Sequence, residues 1–400
     1  MMDLASGLPY HLILNGLPYR YPALQRDMRC DVVIVGAGIT GALCAHACMK
    51  AGIQAVVLDV RSIGIGSTAA STALLQYELD TPLHALAGRI GERDAVRTYV
   101  LSLEAVGDIL ALAQALGEES ASPRQSFQYA SRRAHSAGLR KEHALRRANG
   151  LPVEFLERPD VHRLFPSLRT VGLLSGGAAQ VDPYAFTHRL LQDVLRMGGS
   201  VFERTEVTHW EQGATGAFDL RTRAGHRIHA EHLVLATGYE SQHYLPEPLL
   251  TLHSTYAVAS ERIERTSLWY QDCLIWETAQ PYLYMRTTPD RRVLLGGLDE
   301  PFRDPKRRDR LLERKIRHLT RSFQRLMPDV PFTPEFSWCG TFGSTPDGLP
   351  YIDRDPRTGA WFVLGMGGNG ITFSHTGAMI VRNAILGKPD ADARLFRFDR

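Results

Sequence analysis

The chain has 400 residues, more than one small core needs and suited to two interleaved domains. Apolar residues make up 44% and charged residues 22%, which excludes a disordered or fibrous chain. The 46 Lys and Arg nearly balance the 43 Asp and Glu, so nothing in the charge demands nucleic acid or a membrane surface. The five cysteines are odd in number and include no Cys-x-x-Cys pair. That argues against a disulfide framework or a metal knuckle, and for a reducing cytoplasm.

The N-terminus carries no secretory pattern. Val32 to Met49 is mostly apolar, but it holds a glycine turn and His46, so a strand followed by a helix is expected rather than a membrane span. Cys30 to Val35 reads as a buried strand, Ile39 to Ala51 as a helix, and Ala55 to Asp59 as a second strand. A small-residue loop follows, Gly64 to Thr72, and then an amphipathic stretch to about Gly117. Arg124 to Glu154 reads as a helix between short strands. Asp182 is placed to cap a helix that begins at Pro183 and stops at Gly198-Gly199. "SVFERTEV" is strand-like, a hairpin turns at Ala224-Gly225, and "HLVLATG" is a further strand. Leu252 to Leu298 alternates in the β manner. Arg303 to Leu326 is a basic helix, best explained as a solvated face. Trp361 to Gly365 is the last strand, and a helix from about Thr372 ends the chain. This order predicts a nucleotide domain assembled from separated pieces with a second domain inserted.

"VIVGAGITG" places Gly36, Gly38 and Gly41 directly after a strand, with Ile39 and Thr40 opening the helix. The first glycine allows the turn, the second lets a pyrophosphate approach the backbone, and the third lets helix and strand pack closely. The helix N-terminus offers free N–H groups to phosphate. Asp59 ends the next strand at the spacing a ribose contact requires, with Val60 and Arg61 beside it. Gly365, Gly367 and Gly370 repeat the spacing, but no second strand with an acidic end follows them. Two further features favour FAD over NAD. "RSIGIGSTAAST" can run under a ribityl chain, which assigns Gly66, Ser67, Thr68, Ala70, Ser71 and Thr72 to the cofactor. "LVLATG" adds Ala236, Thr237 and Gly238, and Val207 closes the strand before them.

Together with "YLYMR…RRVLLGG", "WCGTFGSTPDGLPYI" and "WFVLGMGGNGITFS", these motifs make the chain similar to the D-amino acid oxidase, glycine oxidase and sarcosine oxidase flavoenzymes, from about Asp31 to Gly387. The resemblance implies an α/β fold: a glutathione-reductase-like, Rossmann FAD domain with an inserted α+β substrate domain built on a mixed, largely antiparallel sheet. The expected FAD segments are 28–95, 180–245 and 335–400, and the substrate segments are 96–179 and 246–334. The resemblance also implies oxidation of a C–N bond by hydride transfer to flavin N5, with water hydrolysing the imine. The chemistry is the cofactor's, while the protein positions and tunes. Gly340 and Gly343 are expected near the flavin. The turn Gly367, Gly368, Asn369 and Gly370, with Ile371 and Thr372, is expected to stabilise negative charge on it.

Amino-acid-oxidising members typically carry an arginine where Phe342 stands, and a glycine-oxidase arginine falls near Gly368. Both carboxylate grips are thus absent. Tyr282, Tyr284 and Arg286 alternate on a predicted strand, so two phenols and one guanidinium are the candidates to meet substrate. Glu277 is a candidate for an ammonium group. The cysteine that binds flavin covalently in sarcosine oxidases falls over Gly340, next to Cys339, so non-covalent FAD is expected. The five lysines lie outside the flavin motifs, and the electron acceptor is left as dioxygen or a redox partner. The expected substrate is a small amino acid or amine. One alternative is an amine without an α-carboxylate. Another is a flavin-binding subunit that is non-catalytic or depends on a partner.

Overall fold

The computed structural model describes residues 2–388 and 390–400. Its first sheet runs in the order Tyr351–Arg354, Trp361–Leu364, Arg227–Leu235, Met28–Val35, Ala55–Leu58, Ser200–Phe202. The strands from Trp361–Leu364 to Ser200–Phe202 are parallel, and Val207–Gln212 with Phe218–Thr222 folds back antiparallel from Arg227–Leu235. Parallel strands are covered on both faces, which is why "VVIV" and "AVVL" are continuously apolar. The helices Ile39–Lys50, Pro183–Arg196 and Gly370–Ile385 supply much of that cover. Asp182 caps the second of them, accepting from the N–H groups of Tyr184 at 3.0 Å and Ala185 at 2.9 Å.

The second sheet has ten strands. In order it runs Ala5–Gly7, Pro334–Ser344, Thr251–Ser260, Val293–Glu300, Tyr284–Thr287, Leu274–Glu277, Ser122–Tyr129, Gly172–Gln180, Leu74–Leu75, with Val153–Leu156 also on Gly172–Gln180. Leu274–Glu277 pairs parallel to Ser122–Tyr129 and the other pairings are antiparallel, so the sheet is mixed. The basic helix Pro305–Leu326 buries Ile316, Leu319 and Phe323 in the core of this sheet and leaves most of its cations to solvent.

Several boundaries differ from the sequence expectation. "CGTFGS" is not a loop but the end of the strand Pro334–Ser344, which pairs along its length with Thr251–Ser260. Residues 335–344 therefore belong to the second sheet rather than to the third FAD segment. Helix Glu92–Ala115 crosses the expected boundary at 95/96 and packs beside Gly370–Ile385, on the first-sheet side. "SVFERTEV" breaks into two strands, with Arg204 at φ 50° between them. Residues 2–27, to which no element was assigned, contribute the strand Ala5–Gly7 and the helix Tyr10–Asn15. No helix among the described residues is long and apolar enough to cross a membrane.

Candidate cofactor and substrate cavity

The turn after Met28–Val35 is built for close backbone approach. Gly36 has φ 106°, and a Cβ there would lie 2.3 Å from the Ala236 carbonyl oxygen. A Cβ on Gly41 would lie 1.8 Å from the Gly36 carbonyl oxygen, so the helix sits directly on the turn. Beside it, the Asp59 carboxylate accepts the Ala37 N–H at 2.7 Å and the Arg61 N–H at 2.8 Å, one on each oxygen. Burial raises the Asp59 carboxyl above its ordinary value, and the two N–H donors act in the opposite direction. Each oxygen keeps a lone pair for a further donor such as a ribose hydroxyl. The Thr68 hydroxyl accepts the Ile39 N–H at 3.0 Å, which fastens the small-residue loop to the helix opening.

From this point a cavity of about 630 Å³ runs to the second sheet. Of the residues assigned to the cofactor from sequence, all but Gly41 and Gly343 line it. Gly41 serves the helix–strand contact, while Gly343 packs on the Tyr239 ring and Leu252. An elongated cavity with a glycine cradle and a buried carboxylate at one end fits a dinucleotide.

The second-sheet end is lined by Tyr282, Tyr284 and Phe342, as expected, and also by Thr255, Trp276, Asp80 and Asp299. Tyr282 and Tyr284 stand 5.7 Å apart between ring centroids, and Trp276 meets Tyr282 edge-on at 6.0 Å. Phe342 stacks on His253 at 5.1 Å. Asp80 accepts the Tyr282 hydroxyl at 2.6 Å and the Gly368 N–H at 3.2 Å. A Cβ on Gly368 would lie 2.7 Å from the Asp80 carboxylate, so glycine there admits Asp80 to the N-terminal end of helix Gly370–Ile385. The Asn369 side chain holds the segment before Asp80, donating to the carbonyls of Gln76 at 3.1 Å and Glu78 at 2.9 Å.

Two assigned substrate residues are placed elsewhere. Arg286 is 1% exposed and does not line the cavity. Its donors go to the carbonyls of Thr72 at 2.6 Å, Thr287 at 3.1 Å and Val181 at 3.4 Å, so it braces the cofactor loop from behind. Alternation with Tyr284 is real, but two residues along a strand is far enough to leave the cavity. Glu277 also stands outside, accepting from the Leu283 N–H at 3.0 Å and the Tyr129 hydroxyl at 3.1 Å. Cys339 is fully buried with its thiol near Ser6 and Asp309, whereas Gly340 lines the cavity.

Sequence reasoning missed Asp80 and Asp299. Asp299 had a signal, being the acidic residue at the end of the "RRVLLGG" strand. Asp80 had none, because it reaches the cavity only through the path of the chain after Leu75. Burial raises the Asp299 carboxyl to about 6, the Asp80 charge adds to this, and Thr255 and Lys315 oppose it. Its Oδ1 is buried without a hydrogen-bond partner.

The profile of the DAO family, described as FAD dependent oxidoreductase, matches residues 31–384. The chain belongs to this family. FAD is thus the cofactor, and the enzyme is an oxidoreductase. The chain is 25% identical over 380 residues to glycine oxidase of Bacillus licheniformis, covering 90% of this chain and 94% of that one. It is 24% identical over 391 residues to gamma-glutamylputrescine oxidoreductase of Escherichia coli (strain K12), covering 95% and 87%. The crystal structure of glycine oxidase from Geobacillus kaustophilus has the same fold, with a TM-score of 0.74 at 21% identity over 91% of this chain and 96% of that one.

Proposed function

We propose that this FAD-dependent enzyme oxidises the C–N bond of a small amine that carries no α-carboxylate. One observation carries the reading: among the described residues, the second-sheet end of the cavity presents two carboxylates, Asp80 and Asp299, and no Lys or Arg. The cation that does line the cavity, Arg61, stands beside Asp59 and is paired with Glu240 at 3.0 Å. A carboxylate brought next to Asp80 and Asp299 would meet only like charge, whereas an ammonium group would meet opposite charge in a poorly solvated site. The relatives named glycine oxidase and gamma-glutamylputrescine oxidoreductase support an amino acid or amine substrate in general.

Bound FAD supplies the acceptor for the hydride that leaves the carbon next to nitrogen. The protein's own part is to bind, orient and exclude water. The Trp276, Tyr282 and Tyr284 rings wall the alkyl portion, and Phe342 contributes an apolar surface where a carboxylate grip would be needed for an amino acid. Burial pushes the phenols of Tyr282 and Tyr284 well above their ordinary range, so both remain neutral donors. Five free cysteines support a reducing cytoplasmic setting.

The test is an anaerobic flavin-bleaching screen of the purified holoenzyme against α-amino acids, N-methyl amino acids, and mono- and polyamines. Bleaching by amines without a carboxylate is expected. Bleaching by α-amino acids alone would overturn the reading, and no bleaching by any compound would favour a non-catalytic flavin subunit.

A further inference from the structure

The second-sheet end of the cavity carries two carboxylates and, among the described residues, no Lys or Arg. Asp80 and Asp299 both line it, and the Asp299 carboxyl senses the Asp80 charge. The two carboxylates differ in how well the protein satisfies them. Asp80 accepts from the Tyr282 hydroxyl and the Gly368 N–H, both neutral donors. Asp299 has the Thr255 hydroxyl as a neighbour, while its Oδ1 has no partner. The cation that acts on Asp299, Lys315 on helix Pro305–Leu326, does not line the cavity. Its ammonium is held by the Leu298 carbonyl at 2.8 Å and the Glu300 carboxylate at 2.6 Å. Among the described residues, neither aspartate therefore has a protein cation of its own in the cavity.

A buried carboxylate without a counter-charge is costly, and the cost falls when a ligand brings the cation. A monoamine brings one positive charge, which leaves the other carboxylate uncompensated. The cavity lining beside them is aromatic: Trp276, Tyr282 and Tyr284 are successive neighbours, with centroid spacings of 6.0 Å and 5.7 Å, and the Tyr282 hydroxyl donates to Asp80. Such faces favour a cationic nitrogen and its adjoining methylenes over a neutral polar group. Methylenes against rings with an ammonium at each end describe an aliphatic diamine.

We propose that Asp80 and Asp299 form a recognition pair for a doubly cationic substrate, so that the enzyme selects an aliphatic diamine over a monoamine of the same length. The inference rests on the amine-oxidation reading above and adds to it the charge of the far end. Asp299 is the specificity-determining residue of the pair, because its Oδ1 has no protein partner to lose.

The experiment uses three four-carbon probes that differ only at the far end: 1,4-diaminobutane, n-butylamine and 4-aminobutanoate. Dissociation constants are read with the FAD-loaded enzyme by calorimetry under anaerobic conditions, and flavin bleaching is read separately. The expected order is diamine at least tenfold tighter than butylamine, with 4-aminobutanoate weakest. Asp299→Asn is expected to weaken the diamine at least tenfold and to bring it within threefold of butylamine measured in the same variant. If that variant fails to hold FAD, Asp80→Asn is measured in its place, with the same loss of preference expected. Equal binding of diamine and butylamine to the wild type, or a preference that survives in the variant, overturns the recognition pair. Bleaching by amines without this order overturns the pair and leaves the amine reading standing. The order without bleaching supports the pair and removes the oxidation reading.

Discussion

Asp299→Asn also tests the electrostatics of the cavity through stability, independently of turnover. The Asp299 carboxyl moves from an ordinary 3.8 to about 6 in the fold, chiefly through burial. A raised carboxyl means that the folded state holds the proton more tightly than the unfolded chain does. The wild type therefore loses stability as pH rises from about 4 to about 6, and the deficit is complete above that window. A rise of this size corresponds to about 3 kcal/mol. Asparagine has nearly the same shape and cannot ionise, so it escapes the deficit. Asp299→Asn is expected to be more stable than wild type by about 3 kcal/mol at pH 8 and by only about 1 kcal/mol at pH 4.5. Urea unfolding of the holoenzyme, followed by flavin and tryptophan fluorescence, measures both values. A gain that is the same at the two pH values would refute the reasoning, since the effect would then come from packing. A loss of stability at pH 8 would mean that the carboxylate is compensated by the fold. A stabilising substitution at a residue assigned to binding is the usual trade between stability and function.

Gly36→Ala places a Cβ 2.3 Å from the Ala236 carbonyl oxygen at φ 106°, so the turn must move, and the purified variant is expected to retain less than about a tenth of its FAD by absorbance ratio. Arg286→Ala strands the carbonyls of Thr72 and Val181 and is expected to cost about 2–4 kcal/mol in unfolding while leaving the ranking of substrates unchanged. A selective loss of anionic substrates in that variant would return the guanidinium to the cavity. Glu142 accepts the backbone N–H groups of Leu83 and His84 and the Arg146 guanidinium just beyond Asp80. Burial opposes its charge, but His84, Arg146 and the two N–H groups overcome this and hold it at about 2 against an ordinary 4.5. Glu142→Gln is therefore expected to cost about 3 kcal/mol at neutral pH, with the difference shrinking as pH falls from about 4.5 towards 2; a cost that persists at low pH would point to shape rather than charge.

Much of the cofactor end was legible in the residues themselves. The glycine spacing after a strand, the acidic end of the next strand and the small-residue loop are local devices. Their function follows from backbone geometry over a few residues, and they line the cavity as expected. The Asp182 cap and the hairpin at Ala224-Gly225 were readable for the same reason. The second-sheet end was only half legible. Phe342, Tyr282 and Tyr284 line the second-sheet end of the cavity, and they were named because they lie within motifs of a known pattern. Periodicity states which residues share a face of a strand, but not where along the strand a cavity ends, and for that reason Arg286 was misplaced.

What the amino-acid order determined by itself was the glycine turn after the first parallel strand, the acidic end of the next strand, and the presence of phenylalanine at 342 and glycine at 368, where the resembling family carries arginines. Tertiary structure alone decided which charges line that end of the cavity. Asp80 and Asp299 are far apart in the chain and meet at one cavity only because the glycine turn, the segment after Leu75 and the strand Val293–Glu300 converge there. The charge of a binding site is a sum over residues brought together by folding, and no local pattern carries that sum.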